Sequence, residues 1–217
     1  MKKSLITLGI IALIAGSCFG QAGSKHAENG DPIFPLIGNT IGFIMYDFYN
    51  EDNTLSKIEI LNEDGSNWYS FCTNIGDYYL NTEEHNENFE PWVFGPEIFG
   101  LAIRCIAQSE TGYTIVVNEE KNIVKHLNKH EDLIFQTVEE HVVNRLISTD
   151  FSLNPIRKNP DDEAPTLHAT ADETELTSSV ELKGDWIKIK DTYSNKLLGW
   201  IRWKKGDRFM IWLCYSV

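Results

Sequence analysis

From residue 41 onward the apolar residues come in short alternating runs broken every few residues by turn formers, and this period of two commits the chain to strands rather than helices. Residues 41–49, 56–61 and 67–72 read as strands, with Asn62-Glu63-Asp64-Gly65 between the second and third. Asp64-Gly65 is a strong hairpin signal, because a tight two-strand turn needs positive φ that Gly adopts freely. A second group, 100–108, 113–118 and 122–127, is joined by Ser109-Glu110-Thr111-Gly112 and Glu119-Glu120-Lys121. Its short connections predict an antiparallel meander. The fold class expected is mainly β.

One helix interrupts the pattern. Thr137-Val138-Glu139-Glu140 matches the capping box, in which the threonine hydroxyl accepts from the Glu140 amide and the Glu140 carboxylate reaches back to the cap amide. Val138, Val142 and Leu146 then share a face at helical spacing, so a short helix is expected to pack on the meander and close a first domain. Beyond Ser148 the composition changes: residues 153–167 carry three of the seven prolines, and a Thr/Glu/Ser-rich stretch over 170–179 precedes an aromatic end. The 217 residues therefore divide into a β-rich domain over 30–147 and a second domain over 148–217. Charge divides in the same way. Residues 183–217 hold eight Lys/Arg against three Asp/Glu, a net of +5, so the rest carries −18 of the total −13. A surface that acidic repels phosphate backbones, which excludes nucleic acid as the expected partner.

The start of the chain carries an address. Lys2 and Lys3 precede an apolar run from Leu5 to Ala15 that ends in Gly16 and Ser17, the order of a secretory signal peptide over residues 1–20. The run is about half the ~20 residues a membrane-spanning helix requires, and no later stretch is longer, so no transmembrane helix is expected. Cleavage after Gly20 gives a secreted protein. Cleavage before Cys18, where Ala15-Gly16-Ser17-Cys18 resembles a bacterial lipobox with Ala15 in place of its larger aliphatic residue, would lipidate Cys18. Either way the expected location is the periplasm or the exterior. Removing the leader leaves Cys72, Cys105 and Cys214, an odd number; Cys72 and Cys105 lie in apolar strand-like runs and read as buried free thiols, with a disulfide between them as the alternative.

The C-terminal segment resembles a bacterial SH3-like domain, a small β-barrel found on envelope proteins. Asn154-Pro155-Ile156-Arg157-Lys158-Asn159-Pro160 looks like that family's first strand running into its long proline-containing loop. Gly184-Asp185-Trp186-Ile187-Lys188-Ile189 is similar to its Gly-x-Trp-x-Lys-Val strand, and Gly199-Trp200-Ile201 to its Gly-Trp-Ile/Val strand. The resemblance implies a small barrel preceded by the β-rich domain. The rhythm of 101–106, a turn, then 112–116 is similar enough for the first domain to be a divergent second copy. As a whole the chain resembles uncharacterised secreted two-domain bacterial proteins, which bring no activity with them.

Candidate chemistry concentrates in these strands. Alternation sends Ile187, Ile189 and Ile201 to one face and Trp186, Lys188, Trp200 and Arg202 to the other. If the isoleucines fill a barrel, two tryptophans stand outside beside cations, an arrangement suited to stacking on a peptide, cell-wall fragment or protein ligand and holding its carboxylate, with Tyr193 at the adjacent turn as a rim residue. The alternative buries both tryptophans beneath the first domain or the 170–179 stretch. His126 and His130 have i, i+4 spacing but straddle a strand and a turn, so no metal site is expected. His141 reads as partly buried packing in the capped helix.

The acidic pairs Glu51-Asp52, Glu63-Asp64 and Glu83-Glu84 and the run Asp161-Asp162-Glu163 lack calcium-loop spacing and read as solvated loops. The mature chain has no G-x-S-x-G, S-x-x-K or H-E-x-x-H, no phosphate loop and no dinucleotide fingerprint, so neither catalytic residues nor a cofactor are expected. The function these features favour is non-enzymatic binding in the envelope. A cell-wall or carbohydrate hydrolase using acids of the first domain, and a purely structural pair of domains with the basic end docked on the acidic one, are the alternatives.

Overall fold

The computed structural model describes residues 25–26, 32–33, 35, 37–46, 56–74, 79–81, 86–95, 100–170, 174 and 176–215. The leader, Cys18, Glu51-Asp52 and Glu83-Glu84 lie outside the described residues. The strands of the first half are β1 (Lys25–His26), β2 (Pro32–Ile33), β3 (Gly42–Tyr46), β4 (Ser56–Leu61), β5 (Asn67–Asn74), β6 (Tyr79–Asn81), β7 (Val93–Gly95), β8 (Gly100–Gln108), β9 (Gly112–Asn118), β10 (Ile123–Asn128) and β11 (Leu133–Thr137). After helix α1 (Val138–Val143) come β12 (Leu146–Ser148), β13 (Thr177–Lys183), β14 (Trp186–Asp191), β15 (Leu197–Arg202), β16 (Lys204–Lys205), β17 (Arg208–Phe209) and β18 (Trp212–Cys214). The protein is mainly β with one short helix.

A nine-stranded antiparallel sheet runs β11-β3-β8-β9-β10-β4-β5-β6, with β7 also paired to β8. The meander β8-β9-β10 forms as its turn residues require, and β4 and β5 meet through the Asn62–Ser66 turn, where Gly65 takes φ +82° and Asp64 Oδ1 accepts from the Ser66 amide at 3.0 Å. β3 is buried along its whole length because both faces of the sheet are covered there. Phe43 and Met45 point into one core, while Ile44 and Tyr46 point into the other.

The second sheet is five-stranded, ordered β15-β14-β13-β12-β18, with β16 and β17 forming a separate ribbon. Its first strand is Leu146–Ser148, so the change of sheet falls directly after α1. Leu146 pairs with Ser178 and Cys214 as part of a strand and does not extend the helical face. The final strand, β18, returns to pair with β12. The Asn154–Pro160 stretch supplies only Arg157 to the sheet, bridging Trp200 on one side and Thr166 on the other. Prolines on both sides of it carry no amide hydrogen to continue a ladder.

The capping box of α1 is complete: Glu140 N–H donates to Thr137 Oγ1 at 3.2 Å and Thr137 N–H to Glu140 Oε2 at 2.8 Å. The helix does not pack on the meander as its spacing suggested. It lies against β3, β11 and β13, and its Val138 and Val142 enter a core holding Phe43, Met45, Val93 and Ala102 from the large sheet, with Trp92 just before β7, and Ile147, Ile187, Ile189, Ile201 and Leu213 from the small one, with Trp203 just after β15 and Phe209 from the ribbon. The two sheets thus share a single apolar core. Main-chain bonds reinforce the join: the amides of Ile37 and Gly38 donate to Asp207 O, and Phe209 N–H donates to Pro35 O at 2.9 Å.

Candidate functional site

On β14 and β15 the alternation read from sequence holds. Ile187, Ile189 and Ile201 are fully buried in the shared core, and Trp186, Lys188, Trp200 and Arg202 occupy the opposite face. The antiparallel register sets Trp186 opposite Arg202 and Lys188 opposite Trp200, so each indole has a cation as its cross-strand partner. The Arg202 guanidinium carbon lies 4.5 Å from the Trp186 ring centroid and Lys188 Nζ lies 5.7 Å from that of Trp200.

An open aromatic face does not result. Trp186 retains 8 % of its accessible surface and Trp200 7 %. Neither side chain belongs to the shared core, and each indole has a cation over its ring. Arg202 is held on several sides. Its Nε and Nη2 donate to the two oxygens of Asp162 at 3.0 and 2.6 Å, and Nη1 lies 3.7 Å from Asp185. These bonds hold the Asp162 carboxyl below the usual carboxylate range and push Arg202 up. Lys188 sits 3.8 Å from Glu181. Tyr193 is 71 % exposed but belongs to the turn at the far end of the β14–β15 hairpin, its amide donating to Asp191 Oδ1 at 3.0 Å. It is not brought to the Trp186–Arg202 end.

The motif residues around this face have structural duties. Gly199 takes φ +141°, and a Cβ there would stand 2.7 Å from Arg157 O and 2.6 Å from Ile156 Cγ2. Its bareness lets Arg157 and Trp200 exchange main-chain bonds of 2.7 and 2.9 Å. Asn154 is buried; its amide group donates to Arg202 O and Met210 O at 2.8 and 2.9 Å, while its Oδ1 accepts from Arg202 N–H at 3.0 Å.

One buried polar arrangement is not legible in sequence. Trp92 Nε1 donates to Tyr215 Oη at 2.9 Å, and Tyr215 Oη lies 2.7 Å from His141 Nε2, whose Nδ1 lies 2.9 Å from Gln136 Oε1. Since the Gln136 oxygen only accepts, Nδ1 carries the proton and Nε2 accepts from Tyr215. His141 is fully buried and stacks on Phe43 at 4.2 Å, and Arg145 lies 4.9 Å from the Tyr215 ring. Burial, with Arg145 beside it, drives the His141 pKa down to about 3. Elsewhere, Arg104 donates to both oxygens of Glu119, at 3.1 and 3.2 Å; burial pushes the Glu119 carboxyl up against the pull of that guanidinium.

Other sequence candidates remain apart. His126 lies on β10 and His130 in the turn after it, where its Nδ1 accepts from the Asp132 amide at 3.2 Å. Among the described residues no group of three His, Cys, Asp or Glu side chains is placed to share a metal ion, and no helix is long and apolar enough to cross a membrane. Cys72 and Cys105 are free thiols; burial raises the Cys105 pKa to about 11.

No protein-family model matches the chain, and no curated protein matches it. Among solved structures, NlpC2 from Trichomonas vaginalis is similar at 9% identity with a TM-score of 0.29, over 81% of this chain and 49% of that one. The chain spans about half the length of that protein, and so slight a likeness says nothing of chemistry.

Proposed function

We propose that this is an exported, non-enzymatic binding protein whose C-terminal SH3-like module meets a peptide, a cell-wall fragment or another protein through the face carrying Trp186, Lys188, Trp200 and Arg202. The observation that carries the reading is the paired cation-over-indole ladder across β14 and β15, set on the side of the small sheet that faces away from the shared core. A sheet seated on a partner by one face and presenting ordered cations on the other is suited to holding an anionic group. The antiparallel small sheet, with its last strand paired to its first, supports the SH3-like reading. Titrating the full mature chain with soluble cell-wall fragments and acidic peptides, followed by amide and indole NMR shifts, tests it. Shifts clustered on Trp186, Lys188, Trp200 and Arg202 are expected; no shifts with any of these ligands, or shifts only elsewhere, refute it.

A second, purely structural reading draws on the shared core and the Trp92–Tyr215–His141 chain, which tie the two sheets together. Under it, residues 144–217, which keep the whole of β12, fail to unfold cooperatively when produced alone, and the intact chain binds none of these ligands.

A further inference from the structure

We infer that Arg202 and Trp186 form a carboxylate-binding site whose resident occupant is Asp162, so that the loop over residues 158–165 competes with an external ligand ending in a free carboxylate. The inference rests on the binding reading above and names its ligand class.

Three observations carry it. The first is that the guanidinium is preorganised without Asp162. Its carbon rests 4.5 Å from the Trp186 ring centroid, Asp185 stands 3.7 Å from Nη1, and the Arg202 main chain is clamped on both sides by Asn154. Removing Asp162 would leave Nε and Nη2 aimed at an empty carboxylate position.

The second is how Asp162 arrives. It comes from a loop 40 residues away in sequence, and its side chain is 61% exposed. The loop is anchored to the sheet at its base, where Arg157 Nη1 donates to Ala164 O at 3.0 Å and to Thr166 Oγ1 at 3.1 Å and Lys158 N–H to Pro165 O at 2.9 Å, while the bonds around Asp162 at its tip, from the Glu163 amide to Asp161 Oδ1 and from the Ala164 amide to Asp161 O, stay within the loop. Releasing the Asp162 carboxylate therefore leaves the base of the loop in place.

The third is the energy scale. Asp162 is 61% exposed, so although both of its oxygens are bonded its carboxylate is open to exchange with a competing one. A tethered group nonetheless acts at an effective concentration in the millimolar range, which a free carboxylate overcomes only with further contacts. Lys188, on the same face, supplies a second cation for such a ligand.

The apparent affinity of an external carboxylate is lowered by the fraction of time Asp162 holds the fork. Freeing the fork should raise affinity about fivefold, which is the ~1 kcal/mol of the exposed pair. The probe is N-acetyl-trialanine with a free C-terminus, compared with its C-terminal amide, read from the Trp186 indole N–H shift in the full mature chain. Expected are weak binding of the acid and none of the amide in the wild type, about fivefold tighter binding of the acid in Asp162→Asn, and loss in Arg202→Lys, which keeps the charge but not the fork. The backbone spectrum of each variant reports its folding. If Asp162→Asn binds the acid no tighter than the wild type, or if amide and acid bind alike, the inference is overturned while binding at this face stands. If no variant binds the acid, the carboxylate site is likewise overturned, and the cell-wall fragment titration decides separately whether the binding reading falls with it.

Discussion

Acid should loosen this protein through the buried imidazole of His141. His141 is enclosed by Phe43, Tyr215, Gln136 and Arg145, with both ring nitrogens occupied and a pKa near 3 in the folded chain against about 6.5 when exposed. The folded state therefore refuses a proton that the unfolded state takes up. For a base whose folded pKa is depressed, the stabilisation is complete above the unfolded pKa and is lost as pH falls from about 6.5 towards about 3. Between pH 7 and pH 5 the loss comes to about 2 kcal/mol. That figure barely changes if the folded pKa is one unit higher, because at pH 5 the folded imidazole is neutral either way. Against a total of about 5–15 kcal/mol it is a large fraction.

The assay is guanidinium unfolding at pH 7 and pH 5 for the wild type and for His141→Gln, which keeps a polar side chain without a titrating ring. The wild type should lose about 2 kcal/mol more than the variant over this interval. Equal pH dependence in the two proteins would mean that His141 is not held neutral in the fold, and the chain of bonds from Trp92 through Tyr215 to Gln136 would need another explanation.

Other consequences follow from the same geometry. Tyr215→Phe leaves the Trp92 Nε1–H and His141 Nε2 buried without their partner and should cost about 1–3 kcal/mol in chemical denaturation; no loss would show that the hydroxyl is not bonded as described. Gly199→Ala forces a Cβ against Arg157 O and should destabilise by about 2 kcal/mol or more, a fall in melting temperature of at least about 4 °C by calorimetry. Because the contact between the sheets is apolar, with Lys204–Glu139 at 3.7 Å reaching from the ribbon to the helix, 1 M NaCl should leave the radius of gyration unchanged in solution scattering; expansion would restore the electrostatic docking that the charge split suggested. Cys105, buried with a pKa near 11, should resist iodoacetamide while half-buried Cys72 reacts first, as peptide mass mapping would show.

Local signals were legible in the sequence, and relations across the chain were not. The strands 56–61 and 100–108 and the capping box at Thr137 depend on period, turn chemistry and a three-residue spacing, and all appear in the structure. The partner of α1 depends on which sheet arrives beside it, and β13 comes from more than thirty residues downstream. Alternation also tells which way Trp186 and Trp200 point, but the cation set opposite each of them follows from cross-strand register, which no single strand encodes. His141 was read as helix packing because its hydroxyl partner lies 74 residues away, at the end of the described chain.

These long-range relations also bear on which role the small sheet can perform. Were Trp186 and Trp200 held beneath the large sheet, they would share the core with Phe43 and Trp92; that place is taken by Ile187, Ile189, Ile201 and Trp203. The face of β14 turned towards the large sheet is thus committed to cohesion, and the opposite face is under no such demand. Cohesion does not require that this outer face place cations over both indoles, or that it draw Asp162 in from a distant loop to occupy the guanidinium fork. An internal carboxylate seated on an ordered arginine is the observation from which the proposed carboxylate site is argued.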